Sequence, residues 1–291
     1  MKSLVEANRH WPFKRSYEFS EGVKLELGTR TLIMGILNTT PDSFSDGGRY
    51  DEIDAAVKHA QAMAEAGADI IDIGGESTRP GSDSVSLEEE IRRVVPTIQA
   101  IRRALPDMSI SIDTYKAETA RQALEAGAHI INDIWGLKGD PQMASVAAEY
   151  GCPVILSHNR HARDYSDLVP DVLADLKGSI ALAHQAGVRD EAIWLDPGIG
   201  FAKNYEENLS VMRNLDQLIG LGYPVLLGIS RKRFIQNTLQ LPAGDVAFGT
   251  AAANTLGIAQ GCQIIRVHDV LEMKQNAKMA DAIVYYKDVH R

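Results

Sequence analysis

Ten polar residues of this 291-residue chain end or interrupt short apolar runs: Asn38, Asp72, Asp113, Asn132, Asp133, His158, Asp196, Ser230, Arg266 and His268. An arginine beside a histidine on one face can clamp a diphosphate. Arg266 and His268 stand two apart in RVHDV (266–270), so on a strand both side chains point the same way. Asp and Asn are also common helix N-caps, and one such residue alone reads as structural. Eight run ends aimed at one rim exceed what capping needs. The set as a whole reads as a site.

Three segments add chemistry between those ends. NTTPDSFSDGG (38–48) has a Pro, Ser, Asp and Gly content that opposes helix and suits a mobile lid, with Phe44 at its centre. GGESTRPG (74–81) brackets Thr78, Arg79 and Pro80 with glycines and could hold an anion. GISRKRF (228–234) puts Ser230 where a helix begins, with Arg231, Lys232 and Arg233 beside it, a natural carboxylate or phosphate site. No His/Cys spacing fits a structural zinc. A magnesium held by one or two oxygens and substrate phosphates leaves little trace in a sequence and stays open. A Walker A motif, a GxGxxG fingerprint and a GxSxG elbow are all missing; DPGIG (196–200) is none of these.

The elements that must carry these residues repeat one theme. An amphipathic stretch ends near a glycine, a short Ile- and Val-rich run follows, and the run ends polar. Glycine supplies the left-handed position that stops a helix, as at Gly67, Gly127, Gly151, Gly222 and Gly261. Runs apolar at nearly every residue read as strands covered on both faces, hence a parallel sheet. Eight are present, at 32–38, 69–75, 109–113, 129–133, 153–158, 193–198, 224–230 and 263–269, about 33 residues per unit. Helices are expected at 51–66, 87–104, 117–126, 141–150, 171–187, 205–220, 232–260 (broken near Pro242–Gly244) and 270–286. Eight such units in about 250 residues fit a closed (β/α)8 TIM barrel of α/β class, with a doubly wound open sheet as the alternative. Residues 1–30 read as an N-terminal extension, hairpin-like where Val23, Leu25 and Leu27 alternate with polar residues, and 31–291 as one barrel domain.

Composition narrows the class. Apolar residues make up 45% and charged residues 24%, ordinary for a globular protein with a real core. With 30 basic and 39 acidic residues the net charge is −9, which argues against nucleic acid or an acidic membrane as general partner. Only two cysteines occur, and no apolar run approaches the roughly 20 residues of a membrane span. A protein of the reducing cytoplasm is expected.

Together these segments resemble the dihydropteroate synthase family. NTTPDSFSDGG, DIGGESTRPG, SID, IIND, DPGIGF, SRK and IIRVHDV occur in that family's order over residues 30 to 286. The resemblance implies a (β/α)8 barrel that joins 6-hydroxymethyl-7,8-dihydropterin diphosphate to 4-aminobenzoate, with Mg2+ as cofactor, a homodimer, and sulfonamides as inhibitors. It places the pterin on Asp113, Asn132, Asp196, Lys232 and Thr78. The diphosphate falls to Asn38, Arg266 and His268, with Asn38 also ligating Mg2+. Phe44, Thr78, Pro80, Phe201, Ser230 and Arg233 would form the aminobenzoate pocket, and Asp46, Phe44, Arg79 and Lys232 the catalytic group. The implied reaction is a dissociative substitution, in which diphosphate leaves, the dihydropterin carries the methylene cation, and the aniline nitrogen attacks. Three positions depart from the family pattern: Ser157 replaces an apolar residue, Arg233 a serine, and Tyr115 a small residue. A pterin-dependent methyltransferase and a non-catalytic pterin-binding relative are the alternatives. The first has no use for a diphosphate site or the two long loops, and the second should have lost Asn38, Asp46, Arg79, Lys232, Arg266 or His268.

Overall fold

The computed structural model describes residues 13–39, 49–76 and 84–285. Eight parallel strands form the centre: β3 (Leu32–Asn38), β4 (Ile70–Gly74), β5 (Ser109–Asp113), β6 (Ile130–Asp133), β7 (Val154–Ser157), β8 (Ile193–Asp196), β9 (Leu226–Leu227) and β10 (Ile264–Val267). Each pairs with its sequence neighbour, and β10 returns to pair with β3. Between β8 and β9 the ladder is reduced to one bridge, Leu195 to Val225, which closes the ring. The doubly wound alternative is thereby excluded, because an open sheet leaves two edges unpaired.

Helices cover the outside of the barrel: α1 (Arg49–Glu65), α2 (Leu87–Ala104), α3 (Ala117–Glu125), α4 (Met143–Tyr150), α5 (Leu168–Gln185), α6 (Tyr205–Arg213), α7 (Leu215–Ile219), α8 (Arg233–Leu239), α9 (Ala247–Gln260) and α10 (Val270–Val284). Local chemistry sets their ends. Ser86 caps α2, accepting from the Glu89 amide at 3.2 Å, and Asn204 with Glu207 forms a capping box on α6. The break expected near Pro242 is present, as a short 3-10 turn between α8 and α9. Two helices differ from expectation by more than a residue or two. Helix α5 starts three residues early because Pro170 lies in its first turn, where an amide has no helical partner to lose. The expected 205–220 helix splits at Asn214 into α6 and α7.

Strand alternation divides the core in two. Outward Ile and Val side chains such as Ile71, Ile112, Ile131 and Val154 pack under the helices. Inward side chains form a separate cluster at the N-terminal end, including Leu32, Met34, Ile70, Ile130, Ile155 and Trp194. An antiparallel hairpin, β1 (Arg15–Glu18) with β2 (Lys24–Leu27), plugs that end, adding Leu25 and Leu27 to the cluster. The Trp194 indole donates to the Tyr17 hydroxyl at 2.7 Å, and Tyr17 donates to the Glu191 carbonyl at 2.8 Å. Sealing one mouth with apolar side chains leaves the other for polar work. Leu27→Ala, truncating a side chain 2% exposed in that plug, is expected to cost about 2–4 kcal/mol in urea unfolding while ligand affinity at the far mouth is unchanged.

Candidate functional site

The inward residues nearest the C-terminal strand ends are polar. In-register pairing sets Asp72 beside Ser111, Gly74 beside Asp113, and Asp113 beside Asn132. The alternation that turns Ile70, Ile130 and Trp194 into the core therefore turns Asp72, Asn132 and Asp196 into the space above it. Arg266 arrives from β10 and bridges two carboxylates, with Nε 2.5 Å from Asp72 Oδ2 and a terminal nitrogen 2.6 Å from Asp113 Oδ2. Asn132 also donates to Asp72 Oδ2, at 3.0 Å.

Pairing is incomplete. Asp72 Oδ1, Asp113 Oδ1 and the Ser111 hydroxyl are buried and have no hydrogen-bond partner among the described residues. Buried acceptors left this way are costly, and a donor-rich ligand relieves them. Burial pushes the Asp113 carboxyl up to about 7 against the pull of Arg266. Asp196 is raised by burial too, opposed by Lys232 and by the Gly198 amide, which donates to it at 2.6 Å. Glycines keep the space open. A side chain at Gly228 would meet Asp196 Oδ2 at 3.5 Å and Arg266 Cβ at 3.9 Å; at Gly74 it would meet Asp113 Oδ2 at 3.7 Å and Asn38 Oδ1 at 3.8 Å.

Lys232 stands just before α8 and reaches back over this space. Its ammonium donates to the Ile199 carbonyl and lies 4.6 Å from the centroid of the Phe201 ring. Loss of water pushes it down to about 8, with Asp196 opposing. Ser230 faces β10, accepting from the His268 amide at 3.1 Å and lying 2.9 Å from its Nδ1. Arg231 takes a left-handed backbone (φ 58°) and grips Asp269 with two nitrogens, fastening this loop to the end of β10. Arg233 stands exposed on the first turn of α8, and Asn38 is half-buried at the end of β3.

The structure thus brings together Asp113, Asn132, Asp196, Lys232, Arg266, His268, Ser230, Phe201 and Asn38 around one mouth, with Arg233 at its margin. Phe44, Asp46, Thr78, Arg79 and Pro80 lie outside the described residues. No group of three or more His, Cys, Asp or Glu that could hold a metal occurs among the described residues. Asp133 has the capping role expected of it, its carboxylate accepting from the Trp135 and Leu137 amides at 2.8 and 2.7 Å. Asp72, the hub of the cluster, is the residue that sequence reading passed over as a ligand, although it falls at the same strand phase as Asp113. Two of the unusual positions now have a place. Ser157 pairs in register with Asp196, and the Tyr115 hydroxyl donates to Glu76, which Lys116 also binds at 2.6 Å.

A family model described as pterin binding enzyme matches residues 34–268. The barrel and its mouth therefore define a pterin-binding enzyme. Within that class, a dihydropteroate synthase of Bacillus subtilis is 58% identical over 261 residues, covering 90% of this chain and 91% of the relative. A crystal structure of the Clostridium difficile synthase with pteroic acid superposes at a TM-score of 0.87, with 49% identity over 89% of this chain and 98% of that one. The Xanthomonas albilineans synthase with 4-aminobenzoic acid superposes at 0.88, with 39% identity over 93% and 98%. The chain belongs to the dihydropteroate synthase family.

The low pKa of Lys232 has a measurable sign. Below about 8 the group is a charged donor; above it the proton is lost. Ligand-free stability runs the other way between about 8 and 10.5, because there the unfolded chain binds the extra proton. Pterin affinity by fluorescence titration is expected to fall by up to about tenfold per pH unit above 8, and to lose that slope in Lys232→Met.

Proposed function

We propose that this barrel joins 6-hydroxymethyl-7,8-dihydropterin diphosphate to 4-aminobenzoate, giving 7,8-dihydropteroate and diphosphate. The observation that carries the reading is the set of unpaired buried acceptors around Arg266. A pterin edge presents paired donors to carboxylates and acceptors to an amide and an ammonium. Asp113 and Asp196 take the donors, while Asn132 and Lys232 take the acceptors. Asp72 holds Asn132 and Arg266 in place. Arg266 and His268 face the diphosphate from β10, and Asn38 joins them from β3.

A hard cation suits that position, since one amide oxygen leaves most of its shell to water and phosphate. Asn38 would hold Mg2+, which when bound neutralises charge on the diphosphate. Departure of diphosphate leaves a methylene cation that the electron-rich dihydropterin carries; the aniline nitrogen attacks it and then gives up one proton to water or the departing diphosphate. The developing negative charge is met by Arg266 and His268 in a water-poor pocket, where fixed charges act strongly. Lys232, Phe201, Ser230 and Arg233 receive the aminobenzoate. The two long loops complete the site in this reading, with Phe44 and Asp46 from the first and Thr78, Arg79 and Pro80 from the second.

The working form is a homodimer. Phe248 is 91% exposed on α9, and Leu256, Leu271, Met279 and Ile283 continue an apolar face onto α10, which packs against α9. The two cysteines, both buried with thiols pushed up by burial, suit a reducing cytoplasm. Diphosphate release should require 4-aminobenzoate and Mg2+ and match dihydropteroate formed; pterin binding without product would overturn the reading. Arg233→Ser is expected to raise the aminobenzoate KM several-fold with kcat little changed, and an unchanged KM removes that contact.

A further inference from the structure

The loop after β8, residues 197–203, is folded around a lysine that the reaction above does not use. Lys203 is 9% exposed, and its ammonium has three acceptors: the Gly198 carbonyl at 3.0 Å, the Phe201 carbonyl at 3.2 Å and His158 Nδ1 at 2.8 Å. His158, buried just past β7, continues the chain through Nε2 to Asp175 on α5, at 3.0 Å. Arg160 Nε reaches the same Asp175 oxygen at 2.6 Å. Only an imidazole with its proton on Nε2 satisfies both neighbours. Burial, with the Lys203 charge alongside, pushes His158 down to about 3, so the ring stays neutral and Nδ1 stays an acceptor.

The loop carbonyls point in two directions. Those of Gly198 and Phe201 turn in to Lys203, whereas that of Ile199 turns out and accepts from Lys232. Gly198 sits at φ +65° with its missing Cβ 1.8 Å from the His158 carbonyl, so the loop presses directly on the end of β7. Removing the ammonium leaves the Phe201 carbonyl and His158 Nδ1 without a donor, while the Gly198 carbonyl keeps the Phe201 amide at 3.0 Å, and the loop must rearrange to reach water. The Phe201 carbonyl is one of the two left open, so what then moves is the Phe201 end of the loop with its ring. Asp196 stays on β8, held by strand pairing.

We propose that Lys203, fixed by His158 and Asp175, is a positioning residue for the aminobenzoate half of the reaction. It shapes the loop that places Phe201 in the aminobenzoate pocket, and this assignment rests on the reading under Proposed function. Steady-state kinetics with each substrate varied tests it. Lys203→Met and His158→Leu are expected to raise the aminobenzoate KM about tenfold, with kcat and the pterin diphosphate KM within about twofold. His158→Gln, whose amide can accept from Lys203 and donate to Asp175, is expected to restore the wild-type KM. An aminobenzoate KM unchanged in His158→Leu, or equal losses for both substrates, would overturn the inference. Should Lys203→Met fail to fold, the His158 pair decides. Wild-type enzyme in the same assay separates the two claims, because absence of coupled product there removes the reading itself rather than the role of Lys203.

Discussion

A guanidinium between two carboxylates, sunk into the polar half of a barrel, sets the terms for everything around it. Taking such charges out of water costs several kcal/mol per ion unless partners are close and well aimed. Arg266 meets Asp72 and Asp113 at 2.5 and 2.6 Å, so the strands that carry them, β10, β4 and β5, must keep their register. Two acids against one base still leave acceptor capacity unspent. The cluster is stable enough to persist and unsatisfied enough to want a ligand with donors. A site for a flat, amide-like ring follows from that imbalance.

The two mouths of the barrel divide the labour. At the N-terminal end the inward layer is apolar and capped by the hairpin, with Trp194 tied to Tyr17. Farther along the same strands the inward residues become Asp, Asn and Arg. The switch takes two residues, from Ile70 to Asp72 or from Trp194 to Asp196, one step of strand alternation. Apolar packing is concentrated below that step, and unpaired polar atoms such as Asp72 Oδ1 and Asp113 Oδ1 above it. Changes to the plug therefore act on unfolding, and changes near the rim act on binding.

Much of this was legible in the sequence because the period was so regular. Eight apolar runs each ended in a polar residue, and β3, β5 and α2 span the residues expected. Asp113, Asn132 and Asp196 stood out because they end such runs, and the family resemblance is what gave them a pterin to hold. Asp72 was named at its run end but given no ligand role, since its chief partner, Arg266, is 194 residues away and no local pattern announces the pair. The run at 224–230 promised a full strand, yet only Leu226 and Leu227 pair as β9. Pro224 lacks an amide to donate, and Gly228 to Ser230 leave the ladder to line the mouth. Lys203 was silent for a different reason. A lysine in a glycine-rich loop reads as solvated, and only the folded loop shows its carbonyls turned inward.

The single bridge between β8 and β9 gives the barrel a seam. Elsewhere neighbouring strands are laced by several bonds, but here one pair, Leu195 and Val225, holds the ring shut. The seam runs between Asp196 on one side and the chain leading to Lys232 on the other. The width of the slot between those two groups is thus governed by side-chain packing more than by backbone pairing. Side-chain changes at 222–224, outside the ladder that Leu226 and Leu227 form with β10, act on that wall without unlacing it. On the opposite wall, where β3, β4 and β5 are fully paired, the same adjustment would break the sheet. The barrel carries a fixed jaw and an adjustable one.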